Sequence, residues 1–449
     1  ASHRTDGESE YFLPLFVATD NEGDLFPFTN VTHNFTQLPN NMTIGATFDK
    51  AMAKSAGTIA GRELSAAGIN MLLGPVVDVL DNPRSGGAGD IGTRSFGGNA
   101  AWAGALGRAY IAGVHEGSAG TMLAVAKHFP GHGGSDRGTD NEVPTVNKSL
   151  AQLRDAELVP FAAAARTDDG DASATADAMM VSHIRYRNFV SGSTAPFTRP
   201  ISIDPAALRS LMELAEFAAW RRDHLLMADA LGVRALKDWY AEQEGQASFP
   251  NRTVAREALM AGNDLLPLVG FNIDPQNVGW KEYQLPVMQD TILYLREQYT
   301  SDIALRRRAD EAVRHVIAAK MRINPKLELS LALRDSATAS ETAGTGMEEM
   351  RALSEAALTL VQPTTVGELR ARLGRGPVSP DRVLIVECWA DCYPYRVIAR
   401  SELQDRMLEL YGPDGAGRLQ AGDVQTISYG ELDAWLTAPS DPATEQTAR

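Results

Sequence analysis

The sequence predicts a closed, parallel (β/α)8-type TIM barrel followed by a smaller, incomplete α/β sandwich domain at the C-terminus. Three observations carry that expectation. Short apolar runs alternate with helix-like stretches from residue 12 to residue 268. The runs are continuously apolar, as in parallel strands buried on both faces. Third, Asp20, Asp78, Lys127 with His128, His183 and Asp229 each stand at or just past the C-terminal end of a different run. A barrel gathers those ends at one mouth, whereas an open sheet spreads them along an edge.

The elements follow in order. Residues 12–19 read as a buried strand that stops at Asp20-Asn21-Glu22-Gly23. Residues 47–67 read as a helix ended by Gly68, and 69–79 as the second strand. A helix over 100–114 precedes a strand over 122–129. Ser149 and Gln152 have capping-box spacing, with Leu150, Leu153, Leu158 and Phe161 behind them on one helical face. Then come a strand at 178–184, a helix at 205–220, a strand at 225–228, a helix at 254–261 and an apolar run at 265–268.

These elements define a barrel domain over residues 1–334. The small polar stretch 335–346 reads as a linker. Residues 347–449 read as the partial second domain, with apolar runs at 358–361 and 383–386 and a flexible tail.

Composition sets outer limits. No apolar run approaches the ~20 residues of a membrane-spanning helix. With 42 Lys+Arg against 57 Asp+Glu the net charge is −15, which repels phosphate backbones and argues against nucleic acid. The two cysteines, Cys388 and Cys392, cannot form a disulfide framework or a four-ligand zinc site; a local disulfide and two core thiols remain open. The chain starts at Ala1 without a signal-peptide pattern and carries sequons at Asn30, Asn34, Asn41, Asn147 and Asn251. An extracellular or envelope setting is the expectation, with the compartment itself left open.

The segment Lys127-His128-Phe129-Pro130-Gly131-His132-Gly133 puts an ammonium and an imidazole at a strand end before a stiff turn, suited to adjacent sugar hydroxyls. A structural turn is the alternative. A metal held by His128 and His132 is disfavoured, because Pro130 denies them a helix. Asp229 ends an apolar strand, where a carboxylate is costly unless paired or used; it reads as a nucleophile or as a helix cap. Arg94 in a Gly-rich loop can reach a hydroxyl or a site carboxylate. Gly87-x-Gly89-x-x-Gly92 matches a dinucleotide fingerprint in letters alone, since no helix opens on it.

Taken together these segments resemble glycoside hydrolase family 3. The resemblance rests on Asp20-Asn21-Glu22-Gly23, Gly74 through Val79, Thr93-Arg94-Ser95-Phe96, Lys127 through Gly133, Met180 through His183, and Ala261-Gly262-Asn263-Asp264. The Pro-Gly-His-Gly portion is most similar to the β-N-acetylhexosaminidase branch. The resemblance implies a retaining exo-β-glycosidase with Asp229 as nucleophile. It also implies a terminal sugar bound by Asp20, Arg94, Lys127, His128 and His183, and no metal or organic cofactor.

The departures matter too. Where the branch carries a general acid/base histidine, register places Asp140, with Asp136 and Glu142 in the same loop. Phe28 stands where the branch often has arginine, and Ala228 replaces the usual Ser or Thr before the nucleophile. Other β-glycosidases of the family draw their acid from the second domain, which is short here. A β-glucosidase or β-xylosidase, and a catalytically weakened carbohydrate-binding relative, are the alternatives.

Overall fold

The computed structural model describes residues 4–5, 10–23, 28–83, 91–135, 144–168, 170–188, 199–243, 249–272, 279–359, 362, 364–373, 376–387 and 402–437. The chain divides into two units, Ala1–Leu358 and Thr359–Arg449.

The first unit is built on a parallel sheet. Its strands are β1 (Ala18–Thr19), β2 (Met71–Leu72), β3 (Leu123–Phe129), β4 (Ala178–Val181) and β5 (Leu225–Ala228), paired in chain order. A further parallel bridge joins Met227 to Leu265. Every crossover carries at least one helix: α1 (Lys50–Ala66), α2 (Ala100–Gly117), α3 (Leu158–Ala164), α4 (Pro205–Met212) and α5 (Asn251–Ala261). This is the alternation expected for a parallel α/β sheet. Among the described residues no pairing closes the sheet into a ring.

Several strands are shorter than the apolar runs that foretold them. β1 pairs at Ala18 and Thr19 alone, and Pro14 removes a ladder donor from the run before it. β2 stops before Gly74-Pro75; pairing resumes at Val76, bridged to Lys127, with Val77 donating to the Lys127 carbonyl. The helix expected over 205–220 breaks after Met212. Two short turns, Ala215–Ala218 and Trp220–Arg222, then bury Phe217 and Trp220 completely. The capping box of Ser149 and Gln152 is present and opens the helix Leu150–Asp155.

Helices α1 and α2 touch backbone to backbone. A Cβ on Gly57 would lie 2.1 Å from the Tyr110 carbonyl oxygen, and one on Gly113 2.1 Å from that of Lys54. Gly61 and Gly117 stand equally close to the opposite helix, so the seam has no room for a methyl group.

The stretch read as a linker is ordered and belongs to the first unit. Ser336–Thr342 is a helix capped by Asp335. Beyond it, Gly344 and Gly346 donate their N–H groups to the buried carboxylate of Glu63, which also accepts from the N–H and hydroxyl of Thr36. The unit boundary therefore falls after Leu358, not at the polar stretch: small polar residues lack bulk to pack, but here their main chain is recruited by a buried charge.

In the second unit, strands β6 (Val383–Glu387) and β7 (Val424–Ser428) pair in parallel. Ile385, Leu419 and Val424 form a small core with Met407, Leu408 and Tyr411. Cys388 and Cys392 lie outside the described residues. No helix among those described is long and apolar enough to cross a membrane.

Candidate active site

The C-terminal ends of β1, β2, β3 and β5 carry one charged cluster. After β1 the chain doubles back through an antiparallel bridge between Asn21 and Thr29, with Glu22 N–H donating to the Phe28 carbonyl and Asn30 N–H to that of Asp20. Gly23, at φ +94°, is pressed against the Pro39 carbonyl, so the turn is open to glycine alone. This doubling back places Glu22 inward.

Glu22 is the centre of the cluster. Its carboxylate receives Arg94 at two points, Nε to Oε2 at 2.5 Å and Nη2 to Oε1 at 2.9 Å, and lies 2.6 Å from the Lys127 ammonium. Lys127 also donates to Asp20 Oδ1 at 2.6 Å. The Lys127 and Glu22 side chains are 2% and 3% exposed, whereas Asp20 shows 32% of its side chain to solvent. Burial would raise the Glu22 pKa; Lys127 and Arg94 overcome it and bring the carboxyl to about 2. Lys127 is raised in turn, since Glu22 and Asp20 outweigh its own burial.

Asp78 forms the next shell. It is fully buried and accepts from His132 N–H at 2.6 Å, from His128 N–H, and from His128 Nδ1 at 2.8 Å. Burial would raise its carboxyl, but His128 and His132 hold it below the ordinary range. Arg94 Nη2 lies 3.1 Å from His128 Nε2. Arg94 is itself held by Asn41, whose amide donates to the Arg94 carbonyl at 2.8 Å, within the turn Gly92–Arg94.

Asp229 follows β5 directly, its N–H bound to the Val181 carbonyl at the end of β4. Its Oδ1 accepts from Ala230 N–H at 2.8 Å. Burial would push this carboxyl up; the fields of His183 and His128, the Ala230 hydrogen bond and Lys127 bring it below the ordinary aspartate range. The same charges tie Asp229 to the Arg94 cluster, where it helps raise the guanidinium. A carboxylate fixed by a main-chain N–H beside these cations is suited to attack an electron-poor carbon.

His183 sits differently from expectation. It is fully buried, with Nδ1 2.7 Å from the Ser202 hydroxyl and Nε2 3.0 Å from the Ala230 carbonyl. Both nitrogens face protein groups, so its place is behind the Asp229 loop, where it can orient that loop instead of meeting a sugar. Asp136, Asp140 and Glu142 lie outside the described residues, as do Gly87 and Gly89.

Asp20, Arg94, Lys127, His128 and Asp229 are thus brought together, while the sequence reading passed over Glu22 and Asn41. Glu22 had a signal: it lies two residues after Asp20, on the same side of the turn. Asp78, His128 and His132 are the described residues able to hold a metal, with ligand atoms within 4.8 Å of one another. His128 meets Asp78 through its ring Nδ1, whereas His132 does so through its main-chain N–H.

Residues 2–283 match the profile of the Glycosyl hydrolase family 3 N terminal domain. The chain is 32% identical to Beta-hexosaminidase A of Pseudoalteromonas piscicida over 182 residues, covering 40% of this chain and 28% of that protein. It is 32% identical to the Beta-hexosaminidase of Neisseria meningitidis serogroup C over 233 residues, covering 50% and 58% respectively. The chain therefore matches less than two thirds of the length of these relatives. Among solved structures, a family 3 beta-N-acetylglucosaminidase from a Paenibacillus species superposes with TM-score 0.64 at 23% identity, over 95% of this chain and 70% of that one. The beta-glucoside phosphorylase BglX superposes with TM-score 0.69 at 18% identity, over 93% and 66%. At these identities the likeness speaks for the fold.

Proposed function

The chain belongs to glycosyl hydrolase family 3, and from that premise we propose that it is a retaining exo-β-glycosidase releasing a terminal β-linked N-acetylglucosamine. One observation supports the reading: the Asp229 carboxylate follows β5 directly, anchored on the Ala230 N–H at 2.8 Å, on the same strand ends of the parallel sheet as Lys127 and His128. In this reading the sheet closes into the (β/α)8 barrel whose mouth holds these strand ends.

The chemistry runs in two displacements. The Asp229 carboxylate forms a bond to the anomeric carbon as the glycosidic C–O bond breaks and the leaving oxygen takes a proton from the general acid. Asp140 is assigned that role by register, with Asp136 and Glu142 as the other candidates. Water, deprotonated by the same residue, then displaces Asp229 and releases the sugar with its configuration retained. Asp20 and Arg94, the more open members of the cluster, bind hydroxyls along with His128 and the Lys127 ammonium. His183 supports the Asp229 loop.

A second reading, a β-glucosidase or β-xylosidase, is favoured by Phe28. It stands where the hexosaminidase branch often has an arginine, and its ring packs against the Arg94 guanidinium, 4.7 Å from centroid to Cζ.

The test pairs chromogenic β-N-acetylglucosaminide and β-glucoside substrates with mass spectrometry after exposure to a 2-deoxy-2-fluoro β-glycoside. Label on Asp229, together with loss of turnover in Asp229→Asn, is the expected result. Full turnover by Asp229→Asn, or label elsewhere, would overturn the assignment.

A further inference from the structure

Beneath the Gly131–Gly134 turn lies a carboxylate that the chemistry above does not use. Glu157 is fully buried at the start of α3. Its Oε1 is paired with the Lys148 ammonium, and its Oε2 has no hydrogen-bond partner among the described residues. Lys148 reaches past it to Asp81 Oδ2 at 2.8 Å. Burial outweighs Lys148 and raises the Glu157 carboxyl. A carboxylate fully buried against a lysine that is itself partly exposed, with one oxygen unsatisfied among the described residues, calls for an explanation other than stability.

The glycines supply it. A Cβ on Gly131 would lie 2.5 Å from Glu157 Cβ, and one on Gly134 3.0 Å from Glu157 Oε1 and 3.4 Å from Lys148 Nζ. On the opposite side, a Cβ on Gly133 would lie 1.8 Å from the Val79 carbonyl oxygen. The turn is therefore clamped between the Glu157–Lys148 pair and the segment Asp78–Asp81, and Lys148 ties the two jaws together through Asp81. Between the jaws, His132 N–H and His128 are fixed on Asp78.

We propose that Glu157 and Lys148 are a positioning pair: they hold the Gly131–Gly134 turn against the β2 end and so set the orientation of His128 toward the sugar. The inference rests on the glycosidase reading for its consequence, though not for its geometry. Neither residue touches substrate. Each acts through the turn and Asp78.

The experiment uses the full chain and the variants Glu157→Ala, Glu157→Gln and Lys148→Met, with Lys54→Met from the surface Lys54–Glu116 pair as control. In 15N-histidine protein the spectrum holds eight side chains, and His128 is assigned by its loss in His128→Gln. Displacement of His128 resonances in Glu157→Ala and Lys148→Met, but not in Lys54→Met, is expected. With it should come a fall in kcat/KM of about tenfold to a hundredfold, the scale of a misplacement near 1 Å. Glu157→Gln keeps the volume under Gly131 and an acceptor for Lys148, and should recover most of that loss. The double variant Glu157→Gln/Lys148→Met should be no worse than Lys148→Met alone. A lowered Tm with unmoved His128 resonances and unchanged kcat/KM would make the pair structural and overturn the proposal. Should the wild-type chain release no sugar from any chromogenic substrate, the glycosidase reading fails, while the histidine spectrum still decides the positioning claim.

Discussion

Replacing Glu22 by glutamine isolates what the buried charge cluster contributes. The amide keeps the shape but removes the one negative charge between Arg94 and Lys127, leaving two buried cations with Asp20 as the nearest compensation. Breaking a buried ion pair from one side costs roughly 3–5 kcal/mol. At about 2 °C per kcal/mol for a unit of this size, Tm at pH 7 should fall by ~5–10 °C. The penalty has a pH signature. Glu22 titrates near 2 when folded against an ordinary 4.5, so its contribution is complete above about 4.5 and is lost as pH falls toward 2. The gap between wild type and variant should hold from pH 7 to 5, then close by ~1.4 kcal/mol per pH unit below 4.5. Urea titrations at pH 7, 5 and 3.5 measure it. A variant within 1 kcal/mol of wild type at pH 7, or a gap that stays constant down to pH 3.5, would refute the reasoning.

Two further outcomes test other buried charges. Glu63→Ala strips the acceptor from Thr36, Gly344 and Gly346 together; a loss of about 3 kcal/mol or more in urea unfolding is expected, with limited proteolysis now cutting near residues 343–346. His115 pairs with Asp177 at 2.8 Å, and the Asp177 hydrogen bond and charge raise its imidazole despite the opposing effect of burial. Its stabilising contribution is therefore full below the ordinary histidine pKa of about 6.5 and fades as pH rises through the raised one. His115→Gln should destabilise more at pH 6 than at pH 9, as read by thermal melts at both.

How far the sequence foretold this molecule depended on what each feature was made of. Apolar runs marked β3 and β5 almost to the residue, because continuous burial leaves a strong signal. They overstated β1 and β2: Pro14 and Pro75 sit inside the runs and offer no N–H, although Val125 and Lys127 still donate to the Gly74 and Pro75 carbonyls. Of the residues read at strand ends, Asp20 and Asp78 meet Lys127 and His128 through direct contacts, and Arg94 joins them from its Gly-rich loop. Glu22 stood two residues after Asp20, the one local hint of its place, but its inward position arises from the return of the chain through Thr29, a contact between segments. His183 was read as a ligand of the sugar for the complementary reason: position at a strand end is visible in sequence, whereas engagement of both ring nitrogens by Ser202 and Ala230 is not. The polar stretch 335–346 looked like a linker for want of apolar bulk, yet its main chain is what Glu63 holds.

The glycine seam between α1 and α2 reaches further than its own stability. Each helix feeds a strand of the cluster: α1 runs into β2, whose end bears Asp78, and α2 into β3, which ends with Lys127 and His128. Since the helices meet main chain to main chain, their separation is a hard stop and not a cushion of side chains. The span between Asp78 and His128 is in this way gauged from the outer wall of the fold, and one added methyl group on that wall would be felt as a misfit at the charged cluster.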